Sequence, residues 1–434
     1  MLARRGLDRI FRYLTRKSRL LTLEVEWANG ERSRYFAGAA AADVRIRFRT
    51  PRAERRSFWR FYQGLFESYI DQEVDFEGDR PIVQLARLGH DALGSRYARG
   101  PLAAVLMRNP WVTLQQVLQE WRQSNRDLAR AQANAIYHYG LDPRFFEYLL
   151  GETVGYSEGY WPPGTNSLDQ AKVQNYDYIA RKMRLAPGLE VVEVGAGWGY
   201  MPLLMRKRYG CHVTVYNPVP RQNAYMAERF RRHGAADIRI LEKDHRQLVE
   251  EPERYDRYVS IGVYEHVGYH GYASWIRSIA VCLKPGGIGV LSSTFKMVRE
   301  MTEYLTLKYI FPGGHLPSLP LTLRMMDRFG LNVLDVENLW PHYQKTVACW
   351  LTNLERHWAE IQALDPDVFD ERFRRIWTLY LSGTVETFES GLDLCHIVFV
   401  KGRRPEGWAP TRDFLYDPAT PTPPMEFWPR GEAA

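Results

Sequence analysis

Along the first twenty residues apolar side chains return every three or four positions, at Leu7, Ile10, Phe11 and Leu14, while Arg4, Arg5, Arg9, Arg12, Arg16 and Lys17 surround them. That spacing predicts an amphipathic helix with a basic polar face. The period then shortens to two. LTLEVEW and RSRYFAG read as a hairpin around Asn29-Gly30, and ADVRIRFR reads as a further strand. Helical spacing resumes from Ser57 to Ile70, where Phe58, Phe61, Tyr62, Leu65, Phe66 and Tyr69 make a broad apolar face, and in a partly polar stretch from about Pro101 to Ala135. These patterns predict a small amino-terminal α+β domain, residues 1–125, that ends in a helical connector.

From Val191 onward the signals alternate between short apolar strands and helices. The strands are VVEVGAGWG, HVTVYN, IRILEKD, YDRYVSIGV and IGVLSST, an order that predicts an α/β fold with a mostly parallel, Rossmann-like sheet. A second domain is therefore expected over residues 126–403. The last 31 residues, 404–434, hold seven prolines and read as an irregular, peripheral tail.

Composition adds three constraints. The chain is long enough, at 434 residues, for two cores, and no apolar run reaches the length of a membrane span. The four cysteines, Cys211, Cys282, Cys349 and Cys395, lie far apart without a CxxC pair, so neither a zinc site nor a disulfide framework is expected. Residues 1–60 carry sixteen Arg/Lys against six Asp/Glu, whereas the remainder is slightly acidic. Such a basic end is a solvated face or meets an anionic partner. With the amphipathic pattern, it predicts an interfacial helix on an anionic membrane surface, an ordinary packed helix being the alternative. A cytoplasmic protein, peripheral at the inner membrane face, is the expected location.

The strongest chemical signal is Glu193-Val194-Gly195-Ala196-Gly197-Trp198-Gly199, a strand that runs into a glycine-rich turn before a helix. Such a turn lets backbone approach a ligand at the carboxyl ends of strands, and by itself it could hold a dinucleotide. The spacing is GxGxG rather than GxGxxG, however, and an acid stands two residues before the first glycine. This resembles the first motif of class I methyltransferases and implies S-adenosylmethionine as cofactor. Asp244, after the third strand, falls where such enzymes place an acid on the adenine amino group. The second strand ends in Tyr216-Asn217 instead of the usual ribose-binding acid.

A narrower resemblance extends with gaps from about Asp43 to Arg403. The segment from IYHYGLDPRFF through YSEGYW to QAK is similar to the "HYDLGNDLF…YSCAYW…QxxK" entry of the cyclopropane-fatty-acyl-phospholipid synthases and mycolic acid methyltransferases. GVYEHVG, YIFPGGHLPS and HYQKTVACW are similar to three later motifs of that family. The resemblance implies that Tyr156, Ser157, Glu193, Gly195, Gly197, Gly199, Asn217, Gln222, Asp244 and His245 hold the cofactor, with Gln222 or Asn217 in place of the missing acid. It puts Glu265 and Tyr343 beside the reacting carbons; His266, at the end of a strand, reads as a satisfied structural histidine.

The implied substrate is an unsaturated fatty-acyl chain of a phospholipid. Its double bond takes a methyl group directly, which leaves a carbocation that aromatic faces can stabilise; Tyr160, Trp161, Tyr264 and Trp275 lie near the motifs. The position of the proton then lost decides between a cyclopropane and a methyl- or methylene-branched chain. In the resembled synthases a bicarbonate ion is thought to be the base, held by the Cys of "YSCAYW", the Glu of "EHVG", a His and the late Tyr. Here Glu158 replaces that Cys and Ser292 that His. A neutral Cys with an anion becomes one anionic Glu, which keeps a similar charge. The change counts against a bound bicarbonate, makes Glu158 the candidate base and favours the branched product. A cyclopropane synthase is the alternative, and a nucleic-acid methyltransferase a remote one without an RNA-binding signature. A homo-oligomer stays open.

Overall fold

The structure is a computed structural model that describes residues 2–19, 21–36, 42–93, 110–298 and 302–416. The chain divides into two compact units. The first comprises Met1–Trp121, Glu303–Tyr309 and Leu354–Ser390, and the second Arg122–Thr302, Ile310–Asn353 and Gly391–Ala434. The return of two later segments to the first unit has no counterpart in a partition drawn along the chain.

In the first unit, α1 (Leu2–Ser18), α2 (Pro51–Ile70) and α3 (Pro81–Leu93) accompany a sheet of order β2-β1-β3-β4. Its strands are β1 (Leu23–Glu26), β2 (Arg32–Tyr35), β3 (Val44–Phe48) and β4 (Val74–Gly78). Strands β1 and β2 are the antiparallel hairpin expected around Gly30, and β3 runs parallel to β1. Alternation places Leu23, Val25, Val44, Ile46 and Phe48 inside, where Trp27 stacks on Phe48 at 5.7 Å. The interfacial reading of α1 is corrected here. Leu7, Phe11 and Leu14 are buried in this core, so the apolar face is used by the protein itself and the basic face meets solvent.

Helix α2 covers the helical run expected from Ser57 and breaks at Phe61, where φ is 46°. The later helix Glu371–Ser390 belongs to this unit because Arg375 donates to the Tyr69 carbonyl at 2.9 Å, the Val74 carbonyl at 3.0 Å and Asp75 at 2.8 Å. Buried Glu67 is balanced by Arg56 at 2.8 Å and Lys308 at 2.7 Å. The expected stretch from Pro101 is partly seen as the helices Pro110–Arg122 and Leu128–Tyr139. Its residues 101–109 lie outside the described residues.

The second unit is built on a seven-stranded sheet of order β10-β11-β9-β8-β5-β6-β7. The strands are β5 (Glu190–Val194), β6 (His212–Tyr216), β7 (Arg239–Leu241), β8 (Tyr255–Ile261), β9 (Leu283–Phe295), β10 (Leu331–Asn338) and β11 (Asp393–Lys401). Strands β5 to β9 pair in parallel, and β11 runs antiparallel to both β9 and β10. Apolar strands buried on both faces need helices on both sides, and two core clusters flank the sheet accordingly. Helices α4 (Leu168–Lys182), α5 (Tyr200–Tyr209) and α6 (Trp340–Arg356) carry residues used below. The start of the tail is also corrected: Arg412 pairs with Asp335 at 2.6 Å and Leu415 is buried, so residues 404–416 pack on this unit. Residues 417–434 lie outside the described residues.

Candidate active site

Strand order reverses between β5 and β8, and a cavity lies at their carboxyl ends, the usual place for a ligand in an open α/β sheet. Tyr156, Ser157, Glu193, Gly195, Gly197, Asn217, Gln222, Asp244 and His245 all line it. The three glycines of the turn have φ of 73°, 56° and 88°, which L side chains rarely adopt. Their surroundings differ. A Cβ on Gly195 would lie 2.5 Å from Val263, and one on Gly199 would lie 2.7 Å from Met226. A Cβ on Gly197 would meet nothing within 4 Å. Gly197 therefore presents bare backbone to the cavity. Gly199 does not line it; it caps the amino end of α5 and exists for packing, which corrects its assignment to the cofactor.

Glu193 fits a cationic ligand. It is buried, its Oε2 has no hydrogen-bond partner, and burial raises its carboxyl to about 8. Across the cavity Asn217 donates to Gln222 at 3.3 Å and Asn223 at 2.9 Å, which supplies neutral polar groups where an acid was missing. Asp244 stands beyond the end of β7 and caps a short 3₁₀ turn through the Arg246 amide at 2.9 Å. His245 packs on Trp275 at 4.0 Å, and burial lowers its imidazole to about 4. Pattern reading missed Asn125, Tyr139, Tyr176 and Trp198 as lining residues. Their contribution depends on tertiary approach from four separate segments. Trp275, noted only for its place near the motifs, lines the cavity as well; His266 does too and accepts or donates at 3.0 Å with the Tyr139 hydroxyl.

Glu158, Glu265 and Tyr343 are not on the cavity lining. They gather next to it, because the YSEGYW segment is clamped to α6. Gly159 N–H donates to Thr346 at 2.9 Å, Trp161 N–H to His342 Nδ1 at 2.8 Å, and Trp161 Nε1 to Thr346 at 3.0 Å. Trp350 on α6 lies 5.1 Å from the Tyr156 ring, 5.8 Å from the Tyr343 ring and 4.7 Å from Lys172 Nζ. Lys172 is buried, is held near 7 by that burial against the charge of Glu158, and donates to the Ser157 carbonyl. Tyr160 stacks on Tyr178 and His342, and it and Trp161 stand apart from the cavity lining.

Both acids are anchored to β9. Past the end of β8 the Thr294 amide is open on that side, and Glu265 accepts from it. Ser292, two residues earlier on the strand, donates to Glu158 Oε1 at 2.9 Å. Asn175 donates to the same oxygen at 3.1 Å and His396 lies 2.7 Å from it, while Oε2 has no partner. Glu158 is 1% exposed. Burial alone would raise it, yet His396, then the backbone N–H of Glu158 itself and Ser292, bring it down to about 2. Glu265 goes the other way: burial outweighs its backbone donors and raises it. Asn175 and His396 were missed; the available signals are polar residues at core-facing positions of a helix and of the apolar strand DLCHIVFV.

This fold and this cavity define a class I S-adenosylmethionine-dependent methyltransferase. Residues 126–397 match the family described as mycolic acid cyclopropane synthetase, and the chain belongs to that family. It is 33% identical over 303 residues to a probable fatty acid methyltransferase of Pseudomonas putida, covering 66% of this chain and 74% of that one. It is 29% identical over 368 residues to the cyclopropane-fatty-acyl-phospholipid synthase of Escherichia coli, covering 84% and 89%. The solved structure of mycolic acid cyclopropane synthase CmaA1 complexed with SAH and CTAB superposes with a TM-score of 0.58 at 26% identity, covering 62% of this chain and 98% of that one.

Proposed function

We propose that this protein is a C-methyltransferase that acts on the double bond of an unsaturated fatty-acyl phospholipid and leaves a methyl- or methylene-branched chain, with Glu158 as proton acceptor. One observation carries the reading. The two positions that depart from the resembled synthases, Glu158 and Ser292, hydrogen-bond directly to each other, which supports a carboxylate of the chain taking the part of the bound ion.

When bound, S-adenosylmethionine supplies an electrophilic methyl group; Gly197 gives it backbone clearance, Glu193 faces its cationic end, and Asp244 and Asn217 offer polar partners to its nucleoside. Glu158 takes the proton from the acyl carbon beside the cation that methylation creates, which leaves the methyl-branched alkene; the methylene branch needs a 1,2-hydride shift onto the first cation and loss of a proton from the added methyl instead. A carboxylate near 2 is a weak base, but a carbocation is a very strong acid, so the acceptor needs only to be ionised and within reach. Glu158 meets the first condition at any physiological pH, and its free Oε2 is the atom that accepts. Glu265, raised by burial, is the poorer acceptor, and two carboxyls driven apart in this way commonly take different roles. A carboxylate fixed by three donors reaches fewer positions than a small ion, which favours one chain proton over the added methyl.

Access to phospholipid is proposed through the basic surface of the first unit. Arg5, Arg9 and Arg16 of α1 are exposed, and on α2 Trp59 is 70% exposed among Arg52, Arg55 and Arg60. Each such charge near an anionic bilayer contributes about 1 kcal/mol. No helix among the described residues is long and apolar enough to cross a membrane.

The test is expression in a host with unsaturated phospholipids. A cyclopropane and a branched alkene both add one CH₂ to the acyl chain, so masses alone do not separate them; proton NMR of the released fatty acids does. Olefinic signals with a new methyl or methylene branch support the reading, and high-field ring signals overturn the product. Glu158→Gln is expected to bind cofactor and lose about 100-fold or more in rate, the scale of a lost general base. Near-normal activity in that variant, or dependence of the native enzyme on added bicarbonate, would refute the role of Glu158.

A further inference from the structure

Behind Glu158 the sheet carries a polar row that the reaction as described does not use. Ser292 on β9 stands opposite His396 on β11, and His396 stands opposite Glu337 on β10. Cross-strand partners share a face of the sheet, so three polar side chains lie in line across three adjacent strands. Helix α4 covers them, with Asn175 and Lys182 seven residues apart and so on one stripe. His396 is fully buried and bridges the two groups: Nε2 lies 2.7 Å from Glu158 Oε1, and Nδ1 lies 3.0 Å from Lys182 Nζ. Lys182 in turn donates to Glu337, which also receives Tyr178 at 2.9 Å and lies 3.5 Å from Arg412.

The polarity of this chain is set by donor count. A lysine ammonium has three donors and no acceptor; burial lowers Lys182, and the carboxylate of Glu337 beside it opposes that and favours the charged form. His396 Nδ1 must then accept, which leaves the ring proton on Nε2, directed at Glu158. Burial and the charge of Lys182 hold His396 below the usual imidazole range, so it remains the neutral tautomer rather than a second cation. With Ser292 and Asn175 on the same atom, Oε1 is saturated and Oε2 alone is left.

We propose that His396, with its tautomer fixed by Lys182 and Glu337, is a positioning residue that ties down one oxygen of Glu158 and presents the other to the substrate. The inference rests on Glu158 being the proton acceptor. Its role is orientation, not proton relay: a glutamine amide in place of the imidazole has an N–H to donate to Glu158 and a carbonyl to accept from Lys182. The charged or titratable groups that face this network are Lys172, Tyr178 and Lys182 from α4, Glu337 from β10, His342 from α6 and Arg412 from the tail segment.

The test measures kcat against pH with phospholipid substrate, together with calorimetric binding of S-adenosylmethionine, for the full-length protein. His396→Leu is expected to bind cofactor normally and to lose about 10- to 100-fold in kcat, the range for removing a group that orients a reacting residue. Its acid limb should move to higher pH, because burial without the donor raises Glu158. His396→Gln should recover most of the turnover that His396→Leu loses. If His396→Leu fails to fold, Lys182→Met takes its place: it should impair the native enzyme, whereas adding His396→Gln should restore turnover because an amide has no tautomer to fix. The proposal is overturned if His396→Leu turns over normally, or if folded His396→Gln is as impaired as His396→Leu or does not relieve Lys182→Met. A fully active Glu158→Gln overturns the underlying role of Glu158 instead, whatever the His396 variants do.

Discussion

Gly197→Val separates a ligand-facing glycine from one that merely turns the chain. A side chain there meets no protein atom within 4 Å, so the free enzyme bears only the backbone cost of a φ of 56° in a β-branched residue, about 1–2 kcal/mol. The valine projects into the cavity that Gly197 lines. Overlap of that size costs a bound ligand about 3 kcal/mol, which is roughly 100-fold in Kd. Two neighbouring glycines act as controls. Gly199→Val would drive its side chain into Met226 and Phe230, and Gly195→Ala into Val263, so both should lower thermal stability. The assay pairs urea unfolding with calorimetric titration of S-adenosylmethionine. A folded Gly197→Val that binds with native affinity refutes the assignment of the loop, as does a Gly199→Val that leaves stability unchanged.

Three further outcomes follow from particular side chains. Glu193 is raised to about 8 when free and should ionise against a cationic ligand, so binding releases a proton and affinity rises with pH by up to about tenfold per unit below 8 and levels above it; calorimetry in buffers of different ionisation enthalpy reads the proton, and Glu193→Gln should abolish the slope. Phe11→Ala removes a buried ring from the core of the first unit and should cost about 3–5 kcal/mol in urea unfolding, whereas a change below about 1 kcal/mol would mean that α1 is not docked there. Reversing Arg5, Arg9 and Arg16 to Glu should leave the fold intact and weaken sedimentation with phosphatidylglycerol vesicles at low salt, and added salt should reproduce the loss in the native protein; equal sedimentation of both proteins places the lipid-binding surface elsewhere.

Period and turn chemistry carried most of what could be read without coordinates. The hairpin at Gly30, the strand and helix alternation after Val191 and the glycine turn are local, since each depends on a few neighbouring φ/ψ values and on which face of one element is apolar. Such information lies within a window of ten or so residues. The motif resemblance added order along the chain, so that Tyr156, Ser157, Glu158, Glu265 and Tyr343 could be named together before any contact between them was known.

The tertiary structure decided what those residues face. The apolar stripe of α1 has the same spacing whether a bilayer or a protein core receives it, and only packing against α2, α3 and β2 showed that it is the core. The segments at 303–309 and 354–390 joined the first unit through side chains such as Arg375 and Lys308, whose partners lie more than two hundred residues away. The state of Glu158 shows the same dependence. Its sequence neighbours give no sign of a carboxylate held near 2, because the side chains that lower it, Ser292 and His396, come from β9 and β11. Burial and hydrogen bonding pull on a carboxyl in opposite directions, and which one prevails is set by a register between strands that no local pattern encodes.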